Sequence, residues 1–351
     1  MCCSCDITPL VTLLQTGIDR AEVKRDERKA EKQDATTLAT ALAEYVKGKR
    51  RGKDGLALKE RTKADYMAML AAGGTKKNGK PYLDGPLHTL AQTPLTKITA
   101  DQIRKVYADT LKRSQRTATY AMQVLRAVMN WHGIAIENSP LSKDTAGKKR
   151  IVIVPTKGNP KPIPPERLGA WWRAATTRSG NAAADGCRMI LLTGCRPGEI
   201  FGNQGTDADD KHTVFTEGLR VGDVDLIGGR VVLIDTKNRK DHTIALSTQA
   251  LEIVQMHCEG KSPDAKVFDA IYPSKAISAI NADAGVTGIT PHKLRHTFAS
   301  VAEELVSGYA LKRMLNHADD SDVTGTNYIG KSETQLREAW QKVADFIQNA
   351  S

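Results

Sequence analysis

Residues 290–301 read Thr-Pro-His-Lys-Leu-Arg-His-Thr-Phe-Ala-Ser-Val, and this stretch decides how the second half of the chain is interpreted. Thr290 and Pro291 predict the N-cap and the first position of a helix. His292 and Arg295 then lie three positions apart on one helix face, where both can reach one phosphate group. The apolar residues that would pack the opposite face are Leu294, Phe298 and Val301. A solvated helix face is the alternative for an isolated pair of this kind.

Arg196 lies in a second motif, Thr-Gly-Cys-Arg-Pro-Gly-Glu at 193–199, which follows the apolar run 189–192. The Thr-Gly pair predicts a helix end, and Pro197 predicts the start of the next helix. A guanidinium at this position favours phosphate, because it is a planar, permanently charged fork at a helix N-terminus. Glu199, one turn further on, is placed to orient Arg196. A purely structural Arg–Glu pair is the alternative.

A basic hairpin is predicted between the apolar segments 231–234 and 242–246. Its tip contains Lys237, Arg239 and Lys240, and such a tip can carry a flexible ammonium to a leaving oxygen. Arg239 and Lys240 compete with Lys237 for that role. A basic tip that is simply exposed is the alternative.

The fourth motif is Leu-Asn-His at 315–317, followed by Tyr328 eleven positions after His317 (328 − 317 = 11). Asn316 tolerates a positive φ at a helix end better than most residues. A tyrosine in a loop is normally a surface or packing residue, but this one follows His317 at short range and precedes a terminal helix. Its phenol has a pKa of about 10, so it must lose its proton to a neighbour as it attacks.

Together the four motifs resemble the tyrosine recombinase (phage integrase) family, over roughly residues 20–351 and most strongly over 186–330. The family usually has Leu-Gly-His where this chain has Leu-Asn-His, and the spacing from His317 to Tyr328 is a little longer than usual. The catalytic residues that the resemblance implies are Arg196, Lys237, His292, Arg295, His317 and Tyr328, with Glu199 as the support of Arg196.

The resemblance also implies a reaction, the cutting and rejoining of DNA at specific sites without a metal or a cofactor. Tyr328 would attack a phosphate to give a 3′-phosphotyrosyl link and a free 5′-hydroxyl, and Lys237 would protonate the leaving oxygen. The other catalytic residues would hold the charge of the transition state. The alternatives are a type IB topoisomerase-like relaxing enzyme and a catalytically inactive DNA-binding regulator.

The partners implied by the resemblance are double-stranded DNA attachment sites and three further copies of the chain, in a homotetramer that exchanges strands through a Holliday junction. An accessory DNA-bending or directionality factor is a further expected partner. The expected setting is a phage-type integrase in the cytoplasm of a bacterial host.

The fold predicted along the chain is mainly α with a small antiparallel β-sheet, in a helical core-binding domain and a mixed α/β catalytic domain. The predicted divisions are a charged segment at 1–35, a helical core DNA-binding domain at 36–145, a basic linker at 146–163 and a catalytic domain at 164–351. The charged segment resembles the tail of an arm-binding domain or a linker. Four helices are predicted in the core-binding domain, the second over 59–72 and the third opened by a capping box of Thr99 and Gln102.

Further predictions concern strands, an insertion and the last helix. Strands are predicted at 219–226, 230–236 and 242–246, and the polar stretch 202–217 is interpreted as a local insertion. The final helix has an apolar stripe of Leu336, Trp340, Val343 and Ile347, opened by a capping box of Ser332 and Gln335. We expect that stripe to dock into a neighbouring protomer, and packing on its own domain is the alternative.

Charge is distributed unevenly between the two halves of the chain. Residues 1–150 contain 28 Lys and Arg against 16 Asp and Glu, which leaves 23 against 24 for the remainder of the formal +11. This asymmetry indicates a polyanion-binding module joined to a separate domain for chemistry, although charge for solubility alone is the alternative. The basic residues predicted to contact DNA phosphates are Lys47, Lys49, Arg50, Arg51, Lys148, Lys149 and Arg150.

Cysteine spacing and hydropathy exclude several classes of protein. Cys2, Cys3 and Cys5 have no second Cys/His pair at metal-binding spacing, so a zinc site is not predicted. The scattered remaining cysteines fit a reducing compartment. The sequence has neither a run long enough to span a membrane nor a signal peptide, so a cytoplasmic protein is expected.

Overall fold

The computed structural model describes residues 36–75, 79, 81–135, 139–142, 150–151, 160–206, 212–236, 239–316 and 333–350. The chain divides into two compact units, one up to residue 151 and the other from residue 160 of the described chain. The fold class predicted from the sequence, mainly α with small antiparallel sheets, is confirmed.

The first unit is built from helices whose apolar faces meet in a core of Leu42, Ile103 and Leu125, all completely buried. The helices are α1 (Leu38–Gly48), α2 (Glu60–Met67), α3 (Ala100–Leu111) and α4 (Gln115–Trp131). The capping box predicted for α3 is present, since Gln102 N donates to Thr99 Oγ1 at 3.3 Å and Thr99 N donates to Gln102 Oε1 at 2.8 Å. Such reciprocal bonds satisfy two donors that a helix start leaves without intrahelical partners.

Helix α2 is shorter than predicted, and the segment predicted as loop after it is partly structured. The carbonyl oxygens of Met69 and Ala71 accept from the N–H groups of Leu87 and Gly85, so the chain leaves the helix to pair with a later segment. Strands β1 (Gly74–Thr75) and β2 (Pro81–Tyr82) form a short antiparallel hairpin there. Two 3₁₀ turns follow, at His88–Leu90 and Leu95–Lys97.

The second unit surrounds one nearly enclosed helix. Its helices are α5 (Pro165–Thr176), α6 (Ala182–Thr193), α7 (Pro197–Phe201), α8 (Thr248–Cys258), α9 (Ser274–Asp283), α10 (Pro291–Leu305), α11 (Gly308–Met314) and α12 (Glu333–Asn349). Helix α6 contacts α5, α7, α8, α9, α10 and α12. Its apolar run 189–192 is completely buried, which confirms the predicted core position of that run.

Gly194 ends α6 as the sequence predicts, with φ 73° in the left-handed region. A Cβ at this position would lie only 2.5 Å from the Phe298 ring. Glycine is therefore required twice, for the backbone conformation and for the close approach of α10. The turn sends the chain from the buried helix directly to Arg196.

Three strands, β5 (Val224–Asp225), β6 (Arg230–Leu233) and β7 (His242–Ala245), form an antiparallel sheet in which Val231 pairs with Ile244. The strand predicted over 219–226 is reduced to β5, because 221–223 form a 3₁₀ turn and Val221 N and Gly222 N bind the carbonyls of Ala265 and Pro263. The polar stretch interpreted as an insertion contains a separate hairpin of β3 (Asn203–Thr206) and β4 (His212–Thr216).

Helix α12 packs on its own chain. Trp340, Val343 and Ile347 are buried in the core of the second unit, and Trp340 Nε1 donates to Thr193 O at 3.1 Å. Arg337 donates to the carbonyls of Gly228 and Gly229 at the turn between β5 and β6. We expected this stripe to dock into a neighbouring protomer. In the single chain it instead packs on its own domain, which was the alternative. Ser332 lies outside the described residues.

Within the described ranges, none of the helices combines the length and apolar character that crossing a lipid bilayer demands.

Candidate active site

Glu199 binds both the backbone and the side chain of Arg196. As the N-cap of α7, Arg196 donates from its backbone N–H to Glu199 Oε2 at 2.7 Å and from Nη1 to Glu199 Oε1 at 3.0 Å. Glu199 therefore contacts Arg196, and its role as the support of a catalytic arginine stays a prediction. Helix α7 spans only five residues, so the guanidinium charge itself, rather than a helix dipole, is what this position offers an anion.

Arg295 is buried and joins two separated segments. Its Nη1 donates to Gly194 O and its Nη2 donates to Leu315 O, each at 2.6 Å. Burial, followed by the nearby charge of Arg196, lowers the pKa of Arg295 to about 10, while Glu199 acts in the opposite direction. Arg295 therefore stays protonated at neutral pH, and it fixes the turn before Arg196 against the segment that leads to His317.

His292 lies in the first turn of α10, as predicted, with Thr290 as N-cap and Pro291 at the first helical position. Its side chain is exposed, and its ring lies edge-on to His296 with centroids 5.0 Å apart. Arg295, one turn later, is buried. The structure thus places the two residues at different depths, and their meeting at one phosphate stays a prediction.

His242, the first residue of β7, belongs to the same neighbourhood although no sequence motif pointed to it. Its Nε2 lies 3.2 Å from Met314 O, and because a carbonyl can only accept, Nε2 carries the proton. Burial lowers the pKa of His242, Glu199 and the hydrogen bond to Met314 O oppose that effect, and the smaller effects of Arg295 and Arg196 lower the pKa again. The imidazole next to the arginines is consequently neutral at pH 7.

Asn316 has φ 47°, which confirms the positive φ predicted at the end of α11. Its Nδ2 donates to Thr236 Oγ1 at 2.9 Å, and Thr236 Oγ1 donates in turn to Lys240 O at 2.7 Å. Arg239 N also donates to Thr236 O at 2.8 Å, which closes the turn between β6 and β7. Thr236 and Lys240, on either side of residues 237–239, are therefore bonded to each other, and Thr236 is also bonded to Asn316 at the end of α11.

Several predicted site residues lie outside the described residues. They are Lys237, His317, Tyr328, Lys148 and Lys149. Their assigned roles stay predictions.

The basic residues after α1 have different surroundings. Lys47 is exposed, and Lys49 Nζ lies 5.6 Å from the centroid of the Trp131 ring. Arg50 Nη1 donates to Lys47 O at 2.9 Å, and Arg51 pairs with Asp54 at 3.4 Å. Arg150, at the other end of the unit, is exposed. DNA contact by these side chains stays a prediction.

A second buried charged group lies at the opposite end of α6, and we call Asp185, Arg188 and His257 the Asp185 cluster. Asp185 is completely buried, with Oδ1 accepting from Arg188 Nη1 at 2.8 Å and Oδ2 bound to His257 Nε2 at 2.9 Å. Gly180 N also donates to Oδ2 at 2.7 Å. Burial alone would raise the pKa of Asp185, but these hydrogen bonds outweigh it and lower the pKa.

Comparison with known proteins gives two family matches. Residues 37–152 match the phage integrase core-binding domain, and residues 216–334 match the phage integrase family. Among curated proteins, the prophage integrase IntF of Escherichia coli (strain K12) is 24% identical over 97% of this chain and 75% of its own length. The tyrosine recombinase XerA of Thermococcus kodakarensis is 30% identical, over 35% of this chain and 48% of its own length.

Solved structures share the fold. A lambda integrase dimer bound to a COC′ core site superposes with a TM-score of 0.55, at 15% identity, over 94% of this chain and 84% of its own. A Tn1549 transposon integrase in complex with transposon right end DNA gives a TM-score of 0.51, at 14% identity, over 88% of this chain and 99% of its own.

Proposed function

The chain belongs to the tyrosine recombinase (phage integrase) family, and from that premise we propose that it is a site-specific DNA recombinase acting through a 3′-phosphotyrosyl intermediate. The observation that carries the proposal is the placement of Arg295, which binds Gly194 O two residues before Arg196, so that the charge of Arg196 lowers the pKa of Arg295. Glu199 supplies one negative charge for these two cations, so one positive charge is left over. A phosphodiester supplies the anion that such a pair requires.

In the proposed reaction the Tyr328 oxygen attacks the scissile phosphorus, and the bond from phosphorus to the 5′ oxygen breaks. The tyrosine proton passes to a neighbouring group, and Lys237 gives a proton to the departing 5′ oxygen. Rejoining reverses these steps with the 5′-hydroxyl of a partner strand. Because the phosphotyrosyl bond conserves the energy of the phosphodiester, the chain's own side chains suffice.

Arg196, Arg295, His292 and His317 would stabilise the negative charge of the transition state on the non-bridging oxygens. Arg295 has a second task in this proposal, because its two carbonyl contacts hold the segments carrying Arg196 and His317 in place. The remaining N–H groups of both guanidiniums are those available to DNA.

The proposed partners are double-stranded attachment sites and three further copies of the chain on DNA, with a monomer in solution. Lambda integrase, whose fold this chain shares with a TM-score of 0.54, has been captured as a tetramer bound to a Holliday junction. We propose the same strand exchange here, with an accessory DNA-bending or directionality factor, for a phage-type integrase in the cytoplasm of its host.

A suicide-substrate assay tests the proposal. Wild type, Tyr328→Phe and a control Tyr272→Phe, which alters an exposed tyrosine of the same unit, are incubated in EDTA with a nicked duplex containing a candidate attachment core. We expect a covalent protein–DNA band on a denaturing gel with wild type and Tyr272→Phe only.

Other outcomes identify the alternatives. A band that survives in Tyr328→Phe would place the nucleophile elsewhere. A gel shift without any covalent band would favour a catalytically inactive DNA-binding regulator. Relaxation of supercoiled plasmids that lack an attachment core, without recombinant products, would favour a type IB topoisomerase-like activity.

A further inference from the structure

Three consecutive residues, 314–316, each contact a different part of the candidate active site, and we call them the 314–316 turn. Met314 O accepts from His242 of β7, and Leu315 O accepts from Arg295 of α10. Asn316 Nδ2 donates to Thr236 at the base of the basic hairpin tip. His317 is the next residue along the chain, so this turn connects three segments that carry predicted catalytic residues, its own, α10 and the hairpin, and joins them to the start of β7.

Asn316 is the member of this turn whose contact depends on its side chain. The other two bonds use backbone carbonyls, which any residue supplies, whereas the Asn316 bond needs an amide N–H₂ group. Its φ of 47° restricts the position in practice to glycine, asparagine and aspartate. Glycine, the usual residue of the family motif, fits the backbone but makes no such bond.

Thr236 is hydrogen-bonded both to Asn316 and to Lys240 on the other side of the hairpin. Its side chain is buried, with 4% exposure, and its hydroxyl proton is directed to Lys240 O. The same oxygen therefore accepts from Asn316, and the bonds run in one direction, from Asn316 to Thr236 to Lys240. One hydrogen bond thus joins Thr236 to Asn316 after α11, and a second joins Thr236 to Lys240 on the other side of the hairpin.

We propose that Asn316 is a positioning residue for recombination, which acts through Thr236 to hold the basic hairpin tip in register with the 314–316 turn. This inference rests on the proposed function, because Lys237, the proposed acid, directly follows Thr236 in the sequence. Loss of the bond should impair protonation of the leaving oxygen more than DNA binding. A displacement of about 1 Å at a reacting group can slow a reaction by about 10²-fold.

The test compares single-turnover cleavage of two suicide duplexes, one with the natural 5′ oxygen and one with sulfur at that bridging position. A thiolate is a much better leaving group than an alkoxide and departs without a proton from the enzyme. Asn316→Asp and Asn316→Gly both keep the backbone conformation and remove the N–H₂ donor. Thr236→Val removes the acceptor, and Thr236→Ser retains it as the matched control.

We expect Asn316→Asp, Asn316→Gly and Thr236→Val to cleave the oxygen duplex about 10- to 100-fold more slowly than wild type, at unchanged affinity for DNA. On the sulfur duplex they should approach the wild-type rate. The double variant Asn316→Gly/Thr236→Val should be no slower than Thr236→Val, because that substitution already removes the bond to Asn316 together with the bond to Lys240 O. Thr236→Ser should cleave both duplexes at the wild-type rate.

Equal slowing on both duplexes would overturn the inference, because the defect would then not concern the leaving oxygen. Undiminished cleavage by Asn316→Gly would overturn it too, as would additive losses in the double variant. Absence of any cleavage by wild type would instead overturn the proposed function itself, and this inference with it. Thermal unfolding of each variant verifies that the rates refer to folded protein.

Discussion

The two ends of α6 each carry a group of charges, one buried and the other partly buried, and the two groups are composed differently. In the Asp185 cluster, one carboxylate receives hydrogen bonds from a guanidinium, an imidazole and a backbone N–H. At the other end, Arg196 and Arg295 share one carboxylate, Glu199; we call these three residues the arginine cluster.

The difference separates a carboxylate whose charge is met by its neighbours from two cations that have one carboxylate between them. Its partners hold the pKa of Asp185 below the usual range, so the folded protein favours the charge that it buries. Burial and Arg196 lower the pKa of Arg295 to about 10, so the fold carries a positive charge at a cost. We infer that the Asp185 cluster serves stability and that the arginine cluster serves the binding of an anion.

The largest effect is expected from Arg196→Gln, which removes one charge of the arginine cluster. Cleavage of the suicide duplex should fall by about 10³-fold, since a donor to the transition state is lost. The free energy of unfolding should change little, because relief of the repulsion on Arg295 offsets the lost pair with Glu199. Cleavage rates and urea unfolding measure the two quantities, and a large loss of stability without slower cleavage would contradict the comparison.

Asp185→Asn should have the opposite pattern. The neutral amide leaves Arg188 without its partner charge. It also directs an N–H₂ group at one of the donors that bind the carboxylate in the wild type. The free energy of unfolding should therefore fall by about 3 kcal/mol. Cleavage by the folded variant should be near the wild-type rate. Tryptophan fluorescence in a Trp131→Phe background reports the second unit alone, because the other three tryptophans lie there.

Asp283→Asn is the matched control for that experiment. Asp283 pairs with Arg178 in the same unit, but its carboxylate is 54% exposed. An exposed pair contributes at most about 1 kcal/mol, so the control should be clearly less destabilised than Asp185→Asn. Equal losses in the two variants would mean that burial does not distinguish the Asp185 cluster from an ordinary surface pair.

Arg295→Lys should combine the two patterns, because Arg295 both carries charge and binds carbonyls. A lysine ammonium cannot reproduce a planar fork that reaches Gly194 O and Leu315 O together. We expect about 10²-fold slower cleavage and a loss of about 2 kcal/mol in the free energy of unfolding, the latter from one charged hydrogen bond. Loss of only one of the two properties would show that the clamp and the charge are separable.

Local motifs predicted the contact between Arg196 and Glu199, but no motif predicted the Asp185 cluster. Arg196 and Glu199 are three residues apart, and the left-handed turn at Asn316 depends on one residue, so both followed from short stretches of sequence. Asp185 and His257 are 72 residues apart and lie on helices whose sequences give no reason to pair them. His242 was missed for the same reason, since only the packing of β7 against the end of α11 reveals it.

The partner of an apolar surface is also beyond what a sequence pattern specifies. The stripe on α12 was predicted correctly, but a stripe of Trp340, Val343 and Ile347 is equally suited to the core of its own chain or of a neighbour. Burial of Arg295 was not predicted either, because spacing identifies a helix face and not the depth of each side chain. Such outcomes depend on long-range packing.

The smallest expected effect concerns pH and tests the field of the arginine cluster through His242. In the unfolded chain this histidine takes up a proton near pH 6.5, whereas burial and the charges of Arg295 and Arg196 lower its pKa in the folded protein. Between those two pKa values the unfolded state binds more protons. The free energy of unfolding therefore decreases as pH falls through 6.5, until the folded imidazole also becomes protonated.

His242→Gln retains an N–H donor for Met314 O and removes the titration. Between pH 7.5 and 5.5 the free energy of unfolding of wild type should fall relative to that of the variant, by at most about 1.4 kcal/mol per pH unit. Sulfate at constant ionic strength should reduce this shift, because an anion at the arginine cluster offsets charges that oppose the imidazolium. No comparable offset should follow from chloride. A difference that is constant with pH would mean that the fold does not disfavour the imidazolium, whereas a pH shift unaffected by sulfate would attribute the low pKa to burial alone.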